Sequence, residues 1–188
     1  MAWSLVVQVG ANKEEVMRIG TVIHEIASGY LGQREVGQND AFENNVFQRY
    51  MTRVGWERGQ AWCSYFAELC WKQAYKNSDE YFDLLDELFS ASAVQTFRNF
   101  KNYNWDVGGI PSRGALAVWQ HYRRGKQTWR GHIAIVEGFE NDTITTIDGN
   151  SNSDGSSMGY EVARVKRVIN IEPENGLGFL GFIYPEEI

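Results

Sequence analysis

Apolar positions recur at helical spacing through the first half of the chain and at strand spacing through the second. Val16, Ile19, Val22, Ile23 and Ile26 form one helical stripe behind the cap-like run Asn12-Lys13-Glu14-Glu15, which predicts a helix over about residues 13–29. Similar patterns predict helices over Asn44–Val54, Cys63–Tyr75 and Asp79–Lys101. From Gly114 onward the runs are short and β-like: Ala115–Trp119, Ile133–Phe139 and Thr143–Ile147, with Asn141-Asp142 as a hairpin turn, then Val162–Ile171 and Gly178–Tyr184 as closing strands. Helices first and antiparallel strands afterwards predict an α+β fold, N-terminal helices packed on one face of a C-terminal antiparallel β-sheet.

Composition narrows the functional classes. The 188 residues are 43% apolar and 14% aromatic, enough for one packed domain, 1–188, without internal repeats or a proline-rich linker. A net charge of −6 argues against a nucleic-acid partner, and Arg123-Arg124-Gly125-Lys126 reads as a solvated loop. Met1–Gly10 has neither the basic start nor the apolar core of a signal peptide, and no run approaches the ~18 apolar residues of a membrane span, so a soluble product without membrane insertion is expected. The three histidines are scattered, with neither His-Glu-x-x-His nor Cys-x-x-Cys, so no metal or cofactor is expected. Gly108-Gly109 and Gly149-Asn150 read as turn glycines, not a phosphate loop.

Cys63 is the first candidate for chemistry. It stands where a glycine-bearing turn enters an apolar helix, and unpaired N–H groups and the helix dipole there favour thiolate. Cys70 lies one helical repeat on, about 10 Å away, too far for a disulfide, and reads as a buried free thiol. His132, after Gly131 at the expected start of a strand, is placed to be a base; His24 and His121 read as structural or surface residues. Asp148 and Asn150 share a strand face, and either is a candidate acceptor for the Nδ1–H of His132. A two-residue hairpin loop sets His132 opposite Ser151. A three-residue loop sets it opposite Asn150 with Asp148 diagonal on the same face, so a triad requires an odd loop or a bulge. Trp62 is a candidate groove wall and Trp71 a core residue, Gln60 is an oxyanion donor or a turn cap, and the Cys63 N–H is a second oxyanion donor.

The order Cys, His, then acid or amide is that of papain-like cysteine hydrolases. The chain resembles the CHAP domain, the cysteine, histidine-dependent amidohydrolase/peptidase family of bacterial and phage peptidoglycan hydrolases. Gly32–Gly37 with Asn39, Val46, Tyr50 and Gly55 resembles the family's lead-in, Trp62-Cys63 with Phe66 its nucleophile segment, and Ile110–Trp119 its first-strand motif. Gly131–Val136 resembles its histidine motif, Asp148-Gly149-Asn150 its third-residue segment, and Val165-Lys166-Arg167 with Gly181–Pro185 its closing strands. Gly114-Ala115 departs from the usual Gly-Asp. The likeness spans about residues 30–185, with 1–29 as an N-terminal helical extension.

That resemblance implies an enzyme with Cys63 as nucleophile, His132 as base and acid, and Asp148 or Asn150 as the orienting residue. It implies peptidoglycan as partner and amide bonds of its peptide stems or cross-bridges as the target. A non-catalytic module of a phage particle or secretion system, and a papain-like protease or amidase acting on protein, are the other readings.

Overall fold

A computed structural model describes residues 18–152, 159–169, 171 and 173–188. Among these residues five helices lead: α1 (Ile19–Gly29), α2 (Asn45–Arg53), α3 (Cys63–Ala74), α4 (Asp79–Leu88) and α5 (Ala93–Asn102). The short pair β1 (Glu35–Val36) and β2 (Ala41–Phe42) sits between the first two helices. β3 (Val107–Gly108), β4 (Leu116–Arg123), β5 (Lys126–Glu140), β6 (Thr143–Ser151), β7 (Glu161–Val168) and β8 (Gly176–Ile183) follow and form one antiparallel sheet ordered β3-β8-β4-β5-β6-β7. The helices-then-sheet α+β architecture expected from the sequence is therefore the one observed.

Local chemistry sets the boundaries. Asn44 caps α2, its side-chain oxygen accepting from the N–H groups of Val46 and Phe47. The single helix expected over Asp79–Lys101 is two helices. Phe89 turns extended at ψ 155°, and Ser92 opens α5 by accepting from the Gln95 N–H, a competing local bond that favours a cap over a continued turn. The cap-like run before α1 lies outside the described residues, and α1 opens at Ile19 after an extended Arg18.

Alternation divides the sheet residues between two apolar clusters. Leu116, Val118, Ile133, Ile135 and Ile147 join the helices around α3, while Ala117, Trp119, Ala134, Val136 and Ile144 pack on the other face with Phe179 and Phe182. Burying a side chain of Ile or Leu size contributes about 1.5–3 kcal/mol, and α3 takes part most deeply: eleven of its twelve residues are buried. The expected core position of Trp71 holds, fully buried against Phe89, Phe100 and Trp105.

Backbone contact ties α1 to the sheet. A Cβ on Gly114, at φ +79°, would stand 2.2 Å from the Gly20 carbonyl oxygen, so glycine at both positions lets the chain before β4 lie against the first turn of α1. Among the described residues no helix is long and apolar enough to cross a membrane.

Candidate active site

Cys63 is the first residue of α3, where N–H groups have no intrahelical acceptor. Two anchors fix that helix start. The Trp62 indole is fully buried among Phe42, Phe47 and Phe66, and its Nε1–H donates to Glu35 at 2.6 Å. Trp62 is thus no groove wall: it seats the helix in the core, because its N–H finds a carboxylate inside the fold.

The second anchor is Asn150. Its side-chain oxygen accepts from the Trp62 N–H at 3.0 Å and its amide donates to the Gly159 carbonyl at 2.6 Å, with its own backbone at φ +53°. Both ends of that amide are engaged away from His132, so Asn150 is not the partner of the imidazole. Gly149 beside it permits the approach of β6 to α3, since a Cβ there would meet Phe66 at 2.6 Å and Trp62 at 2.9 Å.

His132 sits mid-strand in β5, paired with Trp119 of β4, and not at the strand start expected. Its Nε2 lies 2.7 Å from Asp148 Oδ2. The hairpin register explains why they meet. Glu140 pairs with Thr143, so Asn141-Asp142 is a two-residue loop, which alone would bring Ser151 opposite His132. Glu137 is then an extra residue between Val136 and Gly138, the bulge that the geometry required. Glu137 is itself held, with Oε1 3.2 Å from His24 Nε2 and Oε2 accepting from Arg164 Nε at 2.6 Å.

The nitrogen used differs from the expectation. Asp148 takes Nε2 and not Nδ1, which leaves Nδ1 as the ring nitrogen available to the Cys63 thiol. The Ile133 backbone N–H of β5 also acts on the thiol, as the residue next to His132 on the same strand.

Electrostatics follow from these contacts. Burial pushes the Cys63 thiol up, but the His132 hydrogen bond and charge, with the N–H groups of Ile133 and Ser64, overcome it and leave the thiol below its ordinary range. Burial works against the His132 imidazolium too, and Asp148 and Cys63 outweigh it, raising its pKa to about 9. Burial also disfavours the Asp148 carboxylate, yet His132, Arg167 and Thr146 hold it below the usual carboxyl range. Cys70, with burial alone acting, is raised well above an ordinary thiol and remains an inert core residue.

Arg167 escaped the sequence reading of the site. Its Nη2 donates to Asp148 Oδ2 at 2.6 Å, the oxygen that His132 also contacts, and its guanidinium lies 5.3 Å from the Trp119 ring centroid. Three basic residues on one closing strand, Arg164, Lys166 and Arg167, are the available signal, and the sequence does not say which of them faces the site. Arg167→Met is expected to cost about 3 kcal/mol at neutral pH, because it strips a counter-ion from a buried carboxylate. Urea titration should show that loss shrinking in acid, since Asp148, raised by the substitution, protonates there and needs no cation.

Gln60 serves as a turn cap. Its side-chain oxygen accepts from Tyr65 Oη at 2.6 Å and from the Glu57 N–H at 3.3 Å. His121 lies within β4, half-buried. Among the described residues no group of three His, Cys, Asp or Glu side chains is placed to hold a metal ion.

Helices leading into an antiparallel sheet, with one buried helix directing its first residue at a strand histidine, define the papain-like α+β class. The CHAP domain model matches residues 55–150, just over half of the chain, and the chain belongs to that family of hydrolases, amidases and peptidases. The matched stretch begins after the lead-in residues Gly32–Tyr50 and ends before the closing strands. No curated protein and no solved structure matches the chain.

Proposed function

We propose that this protein cleaves amide bonds of peptidoglycan, in the peptide stems or cross-bridges, through a Cys63 thiolate. The observation that carries the reading is the buried alignment of Cys63 at the start of α3 with His132 and Asp148, in which His132 Nε2 lies 2.7 Å from Asp148 and the ring lowers the Cys63 thiol. In this mechanism His132 takes the thiol proton, and the sulfur attacks the scissile carbonyl carbon to form a tetrahedral oxyanion. The Cys63 N–H, free of an intrahelical acceptor, is its donor. His132 then delivers the proton to the leaving amine, the C–N bond breaks, and water activated by the same imidazole releases the acyl group and restores the thiol. Asp148 keeps the imidazole oriented and Arg167 keeps Asp148 charged.

The test is digestion of purified sacculi, with mass spectrometry of the released muropeptides. New amines from sacculi and none from casein are expected, and the fragment masses identify the bond. Release from casein alone transfers the mechanism to a protein-directed protease; release from neither leaves a binding module on the same fold.

A further inference from the structure

The β4–β5 hairpin carries a surface that the amide chemistry leaves unused. Between Leu116 and Gly131 the sequence places four cations, Arg123, Arg124, Lys126 and Arg130, and no acidic residue, in a chain of net charge −6. All four are exposed, and among the described residues none forms an ion pair. Arg124 and Gly125 turn the hairpin at φ +52° and +69°. The solvated basic loop read from the sequence is thus a tight hairpin tip.

Trp129 stands among these cations with 83% of its surface in water, the most exposed large apolar side chain among the described residues. Its presentation is built into the strand. The pairs Gln120↔Gly131 and Tyr122↔Gln127 leave Thr128, Trp129 and Arg130 opposite His121 alone. Gln120, only 3% exposed, spends its side-chain amide on this bulge, donating to the carbonyls of Thr128 at 2.6 Å and Arg130 at 2.8 Å. Thr128 Oγ1 donates to the His121 carbonyl and accepts from the Arg130 N–H. Gly131 closes the bulge against α5, where a Cβ would stand 2.6 Å from Val94. The Arg130 guanidinium lies 5.2 Å from the Trp129 ring centroid, an exposed cation beside an exposed aromatic face.

A buried polar side chain that fixes a bulge, and a bulge that holds an indole in water, point to a ligand for that indole. Trp129 is three residues from His132 on the same strand, so their Cα atoms are separated by at most ~10 Å. We infer that this hairpin docks the polymer whose amide bonds are cut, an anionic glycan. The Trp129 ring covers the apolar C–H face of a pyranose, and Arg123, Arg124, Lys126 and Arg130 meet carboxylates on the attached peptides. The inference rests on the peptidoglycan reading above. Nucleic acid would also attract these cations, but it would face the repulsion of an acidic chain with one stacking residue on offer.

Cys63→Ala protein, which retains every hairpin residue, is sedimented with purified sacculi stripped of teichoic acid across a salt series. Adding Trp129→Ala is expected to weaken association roughly tenfold. Combining Arg123→Ser, Arg124→Ser and Lys126→Ser removes most of its salt dependence. These side chains stand in water, so melting curves should coincide with that of the parent. Equal binding by the Trp129→Ala protein overturns the inference, as does tighter retention on single-stranded DNA or on anionic phospholipid vesicles than on sacculi. The two readings fail separately. Wild-type protein that binds sacculi through Trp129 but releases no amines loses the hydrolase reading and keeps the hairpin; wild-type protein and a Trp129→Ala variant with Cys63 intact that bind and cleave sacculi equally do the reverse.

Discussion

Cys63→Ala is expected to abolish amide cleavage, by roughly 10⁵-fold or more, with the fold retained. The size follows from what is removed: the remaining imidazole, N–H donors and carboxylate can orient a substrate, but no group left in the line forms the acyl bond. The structural cost is small, because one sulfur is lost from a residue still 8% exposed, and Trp62 and Asn150 hold the helix start independently of it. Amine release from sacculi measures the first effect and thermal melting the second. Turnover retained at more than a few per cent by the purified variant would transfer the nucleophile's role elsewhere. His132 should keep a raised pKa in this variant, because Asp148 still opposes it, and NMR titration of the ring would report that directly.

His132→Ala should slow alkylation of Cys63 by iodoacetamide at pH 6 by roughly two orders of magnitude. In the native protein the His132 hydrogen bond and charge hold the thiol below its ordinary range, and the imidazolium persists to about pH 9, so the ring favours thiolate at Cys63. Without the ring, burial of Cys63 acts almost unopposed and the thiol rises. The expected pH profile has a sign. His132 is raised, so its contribution to stability is complete below the ordinary histidine range near 6.5 and is lost as pH climbs through about 9. Amide turnover should fall over the same upper limb, because the leaving amine needs the imidazolium proton. A reactivity profile unchanged by His132→Ala would remove the histidine from the mechanism.

Several of these features are legible in the sequence. The helix carrying Cys63 and the hairpin carrying His132 and Asp148 declare themselves by periodicity and turn residues, since each buries one regular stripe or alternation in the core. Even the need for an odd residue in the hairpin follows from counting along two strands. Which residue bulges does not, because that depends on Glu137 finding His24 from α1 and Arg164 from β7. Trp62 was misread for a related reason. An aromatic beside a nucleophile suits a cleft or a core equally, and only the closure of Phe42 and Phe47 over it from distant segments decides. Asn150 could be recognised as important but not as a clamp, since its partners are a backbone N–H 88 residues away and a carbonyl across the next bulge. The break at Ser92 was hidden by apolar spacing that continued through it.

The extra residue at Glu137 makes this protein vulnerable in an unusual way. Absorbing Glu137 into the ladder opposite Thr146 would leave every strand with a partner and the sheet with its hydrogen bonds, yet it would slip β6 by one residue and turn Asp148 to the face away from His132. The chain would have suffered a conformational equivalent of a frameshift, folded and paired but out of phase. The contacts of Glu137 with His24 and Arg164, which keep it out of the ladder, therefore hold the hairpin in phase.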